Sequence, residues 1–116
     1  MLVYLASPYS YKADAELMQY RYEENLRVLT ELTLQGIAVF SPIVTSHNMS
    51  AKYKLPCTFD FWEKIDFAAI DHCSHLYVMM LPDWNKSIGV TAEIAYAKKT
   101  GKEIVYLEMD SKKEVA

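Results

Sequence analysis

An open, layered α/β domain is what this sequence predicts, and three observations predict it. Four short apolar runs, Leu2–Ala6, Ile37–Phe40, Leu76–Leu81 and Ile104–Leu107, are continuous rather than alternating. Strands buried on both faces of a parallel sheet have that pattern. Helical patterns separate the runs, giving the order β-α-β-α-β-α-β. The 116 residues hold no internal repeat, low-complexity stretch or linker, so 1–116 is expected to be a single domain. The architecture to expect is a three-layer parallel sheet of four to five strands with helices on both faces.

Each element follows in turn. Met-Leu-Val-Tyr-Leu-Ala lacks the basic and long apolar regions of a signal peptide and reads as the first strand. The first helix is expected over 13–35, with Met18, Tyr22, Leu26, Leu29 and Thr33 as its buried stripe. Glu23, Arg27 and Glu31 are spaced to pair on its wet side, and Gly36 supplies a left-handed stop. Residues 41–58 form a long connection leaving the carboxyl edge of the second strand. Such a segment is either functional or carries a short helix of its own. A second helix is expected over 61–72, with Asp60 and Glu63 arranged as a capping box. The third, over 88–100, has Lys98 and Lys99 in its last turn and Gly101 as its stop. An open sheet of this flavodoxin- or Rossmann-like kind holds ligands at the carboxyl ends of its strands, where the strand order reverses.

Composition narrows the function classes. The chain is 52% hydrophobic and 23% charged, with 12 Lys+Arg against 15 Asp+Glu. A net charge of −3 argues against a general nucleic-acid binder. The longest unbroken apolar run, Leu76–Leu81, is too short to span a bilayer, so no membrane partner is expected. Cys57 and Cys73 have no CxxC spacing, and a reducing cytoplasmic compartment is the expectation.

Several residues are candidates for chemistry. Glu93 has Gly89, Val90, Tyr96 and Ala97 as its helical neighbours and no cation at i+4. It is either a carboxylate turned inward for use or a boundary glutamate lying along the surface. Asp66 lies beside the Phe61–Ile65–Ala69 stripe, where Asp is a poor mid-helix residue. It is either a second site carboxylate or a solvated partner for a lysine. Two carboxylates leaning into one crevice suit glycosidic bond cleavage, one meeting the anomeric carbon and the other handling protons.

The turn Leu81–Val90 is neither a Walker A loop nor a GxGxxG fingerprint. Ser87, Ile88 and Gly89 offer backbone N–H groups to an anion, and Ser87 is equally a plain N-cap. Asp83 and Trp84 stand in the same turn. Trp84 either stacks on a base or packs on the domain. Ser7, Pro8 and Tyr9 follow the first strand, leaving room for a sugar or phosphate or simply making a turn. His47 in the long connection either touches ligand or is solvated. His72-Cys73-Ser74-His75 straddles a helix end, so its imidazoles diverge. No metal or other cofactor is expected.

These residues resemble a known family. Val3-Tyr-Leu-Ala-Ser-Pro-Tyr9 is similar to the opening of nucleoside 2-deoxyribosyltransferases. Ser87-Ile-Gly-Val-Thr-Ala-Glu93 resembles their S-x-G-V-x-x-E signature, shared with 2′-deoxynucleoside 5′-phosphate N-hydrolases. Asp66, 21 residues before Ser87, matches the family's second acidic residue. The resemblance covers nearly the whole chain and is strongest to a small branch carrying Trp-x-Lys-Ser-x-Gly-Val-Thr-Ala-Glu.

It implies Glu93 as the nucleophile at C1′ of a (deoxy)nucleoside or nucleoside monophosphate. Asp66 would protonate the departing base or orient the sugar, and Tyr4 would fix the nucleophile by hydrogen bonding. Ser87 and Gly89 would lie near the 5′ end. The phosphohydrolases carry a phosphate-binding arginine in the first turn; the matching Pro8–Lys12 has none, and Lys12 would substitute as a point charge rather than a fork. The resemblance also implies a homo-oligomer, although Glu108–Ala116 is unlike the C-terminal element with which relatives complete a neighbour's site. The expected activity is N-glycosidase or deoxyribosyltransferase. The rivals are a non-catalytic nucleotide-binding or sensing module on the same fold and an interaction subunit.

Overall fold

The computed structural model of the chain describes residues 1–10 and 14–109. Lys12 and the tail at 110–116 lie outside the described residues, as does the expected helix start at Ala13. The elements run β1 (Leu2–Ala6), α1 (Ala15–Leu34), β2 (Ala38–Phe40), α2 (Pro42–Tyr53), α3 (Phe59–Asp71), β3 (His75–Met80), α4 (Ile88–Lys99) and β4 (Glu103–Glu108). A 3₁₀ turn at Trp84–Lys86 precedes α4. The four strands form one all-parallel sheet in the order β2-β1-β3-β4.

That order decides where a ligand can bind. The chain moves from β1 to β2 on one side, then returns across β1 to β3. With right-handed crossovers, α1 covers one face and α3 and α4 cover the other. The reversal leaves a crevice between the carboxyl ends of β1 and β3. The packing matches this layering. Tyr4, Ala6, Leu76 and Val78 point to the face that buries Ile70 of α3 and Val90 and Ala97 of α4. Leu5 and Met79 point to the face that buries Val28 and Leu32 of α1. The central strand β1 is buried from Val3 through Ala6, as the continuous apolar run requires, whereas edge strand β4 is only half-buried or exposed. Each fully buried aliphatic side chain contributes roughly 1.5–3 kcal/mol.

The buried stripe of α1 corrects the sequence reading. Its centre is Arg21, Asn25, Val28 and Leu32, while Leu26 is 41% exposed and Thr33 is exposed. Met18, Tyr22 and Leu29 lie at the flanks, half-buried. The physical reason lies at the top of the sheet. The Arg21 guanidinium donates to the backbone carbonyls of Tyr9 at 3.2 Å and Pro82 at 3.4 Å. Asn25 donates to Ser7 Oγ at 2.9 Å and to the Arg21 carbonyl at 2.8 Å. Polar side chains needed by the turns turn the helix away from its most apolar face. Arg27 pairs with Glu31 at 3.1 Å, and with Glu24 at 3.2 Å rather than with Glu23.

Residues 41–58 hold a 12-residue helix, α2. Ser41 is its N-cap, accepting from Val44 N–H, and Pro42 stands at its start, where a missing N–H costs nothing. The capping box expected at Asp60 and Glu63 does not form. The N-cap of α3 is Thr58, with no side-chain cap hydrogen bond, and the helix opens two residues earlier than expected, at Phe59. Gly36 and Gly101 take the left-handed conformation (φ 80° and 75°) that the helix stops require.

Candidate active site

Three side chains from three elements meet under the crevice. Tyr4 sits in the middle of β1 and is fully buried, and its hydroxyl donates to Glu93 Oε2 at 2.6 Å. Glu93 lies in the second turn of α4 on its inward face and is 5% exposed. Asp66, on the inward face of α3, is 7% exposed, and its Oδ1 has no hydrogen-bond partner. A buried carboxylate oxygen without a donor is costly to the fold.

The electrostatics follow from burial. Burial first, then the neighbouring Asp66 charge, push Glu93 well above the ordinary carboxylate range, while the Tyr4 hydrogen bond works the other way. Burial raises the Asp66 carboxyl to about 6, against hydrogen bonding from Glu93 and Tyr4. The two carboxyls are hydrogen-bonding neighbours and titrate as a pair, with burial holding a proton more firmly on Glu93 than on Asp66. Burial, then the Glu93 and Asp66 charges, hold the Tyr4 hydroxyl well above its usual range, so Tyr4 is a fixed donor.

Above the carboxylates opens a cleft of about 680 Å³. Its walls come from the β1–α1 turn (Ser7, Tyr9), α2, the start of α3 and the β3–α4 turn (Lys86 to Gly89). At that last wall, Ser87 caps α4 by accepting from Val90 N–H at 3.2 Å. The N–H groups of Ile88 and Gly89, in the first turn, have no intrahelical acceptor, which favours an anion or other acceptor there. A Cβ on Gly89 would meet Phe59 Cδ1 at 3.4 Å, an ordinary contact. The fold therefore tolerates a side chain there, and the glycine leaves room on the cleft side.

The structure thus brings together Glu93, Asp66, Ser7, Tyr9, Ser87 and Gly89, with Tyr4 bonded to Glu93 from below. It separates others. Asp83 and Trp84 line a different cavity of about 300 Å³. Trp84 packs on the α3/α4 core and lies 5.7 Å from Tyr106. Pro8 is fully buried and does not line the cleft.

His47 lies in α2, buried behind Tyr9 rather than in the cleft. Among the described residues, no group of three or more His, Cys, Asp or Glu side chains converges as a metal site. Lys86, Phe59 and Trp62 also line the cleft, and Arg21 and Asn25 brace its β1–α1 wall, although none of the five stands out as a site residue in the sequence. Two polar residues four apart in an otherwise periodic helix were the available signal for the latter pair.

No helix among the described residues is long and apolar enough to cross a membrane. No curated protein matches the chain. The chain belongs to the family described as a domain of unknown function, DUF1937, whose model matches residues 1–109.

Proposed function

We propose that this domain cleaves or transfers the N-glycosidic bond of a (deoxy)nucleoside or nucleoside monophosphate, with Glu93 as nucleophile. One observation carries the reading. Two buried, neighbouring carboxylates, one held by a tyrosine hydroxyl and the other short of a partner, line a cleft of about 680 Å³. The resemblance of Val3–Tyr9 and Ser87–Glu93 to the deoxyribosyltransferases and the phosphate N-hydrolases supports the same chemistry.

The steps use this chain's own groups. Burial leaves the proton of the resting pair on Glu93. In the proposed reaction it passes to Asp66, and the freed Glu93 carboxylate attacks C1′. The C1′–N bond pair leaves with the base, which takes that proton from Asp66. Tyr4 steadies the Glu93 oxygen and directs its other lone pairs upward. Water or an acceptor base then attacks C1′, giving its proton to Asp66 and releasing Glu93. The Ile88 and Gly89 N–H groups and Lys86 suit an oxygen-rich 5′ end. No step calls for a cofactor.

Self-association accords with the exposed apolar side of α3, where Phe61 is 43% and Ile65 49% exposed. Two free thiols, Cys57 and Cys73, fit a reducing cytoplasmic compartment.

The test is incubation with a panel of ribo- and deoxynucleosides and their monophosphates, with and without a second free base. Base release or exchange by wild type, and not by a folded Glu93→Ala variant, is the expected result. Thermal stabilisation by nucleotides without any product would replace the enzyme with a binding module.

A further inference from the structure

One stripe of α3 builds its wall of the cleft. Phe59, Trp62 and Asp66 stand at i, i+3 and i+7, positions that share a helical face, and all three line the cleft. Two aromatic rings therefore precede the acid along that wall. Phe59 lies against the start of α4, its Cδ1 3.4 Å from where a Cβ on Gly89 would stand. Trp62, half-buried, stands between Phe59 and Asp66.

Two contacts hold the indole. Its Nε1–H donates to the Pro56 carbonyl at 2.8 Å. An indole nitrogen only donates and a carbonyl oxygen only accepts, so the direction of that bond is fixed. The Phe61 ring meets the indole edge to face, with centroids 5.0 Å apart and planes at 77°. The N–H is the one polar group of a tryptophan side chain, and here the chain itself uses it. What Trp62 shows the cleft is ring carbon.

Helical spacing ties this ring to the chemistry. Side chains four apart have Cβ atoms about 5–6 Å apart, so the indole stands one turn from the Asp66 carboxyl. In the proposed reaction the departing base takes its proton from Asp66 and must approach it to hydrogen-bond distance. Trp62 is the aromatic surface of the same stripe nearest to a base so placed.

We infer that Trp62 is the surface against which the base packs, and that it selects bases by ring area, favouring purines over pyrimidines. This rests on the proposed nucleoside-binding role of the cleft. A residue that read hydrogen-bonding pattern would tell adenine from guanine. An indole whose N–H is already spent does not. Every base has a π-face, and a fused ring system covers more of the indole than a single ring does.

Fluorescence gives a direct test. The sequence has two tryptophans, and Trp84 packs on the α3/α4 core and lines the other cavity. In a Trp84→Phe, Glu93→Gln double variant the signal therefore reports Trp62 alone, without turnover. Adenosine and guanosine monophosphates, ribo and deoxy, should change it, and ribose 5-phosphate, which has no base, should not. Calorimetry on the same protein should show about a tenfold preference for these purine ligands over cytidine, uridine and thymidine monophosphates.

Trp62→Leu keeps an apolar side chain beside Phe61 and should lose most of that preference, with adenine and guanine ligands weakened alike. Trp62→Phe should retain part of it. A merely structural role, bracing the Pro56 segment, would weaken purine and pyrimidine ligands equally and leave the ratio unchanged. That result would overturn the inference, as would purine binding with Trp62 fluorescence unmoved, or equal affinity for the two base classes. Purine-selective binding without base release by wild type would sink the glycosidic reading alone. Base release by wild type with the preference unmoved in Trp62→Leu would sink this inference alone. Failure of every nucleotide to bind or react would sink both.

Discussion

The two ends of one sheet carry similar residues in opposite environments. At the amino end, His75 Nε2 meets Glu103 Oε2 at 2.6 Å, and Ser74 Oγ meets His75 Nδ1 at 2.7 Å. In outline this is a serine, a histidine and a carboxylate in a row. The Glu103 side chain is 72% exposed, Ser74 also reaches the Leu2 carbonyl, and neither cavity described above includes any of the three.

At the carboxyl end, Glu93 and Asp66 are buried, one oxygen lacks a partner, and a large cleft stands over them. The first cluster is bonded within itself and its carboxylate is open to solvent, which screens it. In the second, Tyr4 satisfies one Glu93 oxygen, while Asp66 Oδ1 has no partner in the chain. Residue identity alone does not mark an active site; uncompensated burial beside a ligand-sized space does.

Substitutions at the two ends should separate them sharply. Glu93→Gln keeps the shape and removes the nucleophile, and should lower base release at least about 10³-fold with folding intact, measured by chromatography and circular dichroism. Tyr4→Phe leaves Glu93 Oε2 without its donor and should lower turnover roughly 10–100-fold, while moving the pH profile of the carboxylate pair upward.

Asp66→Asn tests the burial argument through stability. In the folded chain Asp66 titrates at about 6, above the ordinary 3.8, so the folded state holds a proton the unfolded chain has released. Its contribution is full below pH ~4 and is lost as pH rises through about 6. The variant escapes that loss. Its melting temperature relative to wild type should therefore rise between pH ~4 and pH ~7, and a difference that is flat with pH would contradict the burial argument. The smallest effect belongs to the amino end. Glu103→Gln should change stability by less than about 1 kcal/mol and leave base release unchanged.

The strands and their parallel layering were legible because central strands buried on both faces cannot hide in a sequence. Leu2–Ala6 was read to the residue. Glu93 was legible as an inward carboxylate because its helical neighbours carry no charge. The stripe of α1 was not, since apolar periodicity cannot say that Arg21 and Asn25 are held inward by the Tyr9, Pro82 and Ser7 partners above them. Those partners lie up to 61 residues away along the chain. Trp84 and Asp83 looked like cleft residues from their place in the β3–α4 turn. The left-handed backbone at Asp83 (φ 66°) and the 3₁₀ turn after it instead leave both beside a separate cavity. The sequence points to a loop at His47 because α2 lacks a strong apolar stripe, burying only Ile43 and His47.

The central claim is that Glu93 becomes covalently bound to the sugar. The most direct measurement is peptide mass spectrometry of wild-type protein, acid-quenched during turnover of whichever nucleoside or monophosphate in the panel releases base. The account predicts a pentosyl adduct on the peptide containing Glu93, absent in Glu93→Gln. Steady base release with no adduct on that peptide, or undiminished release by the folded variant, would contradict it.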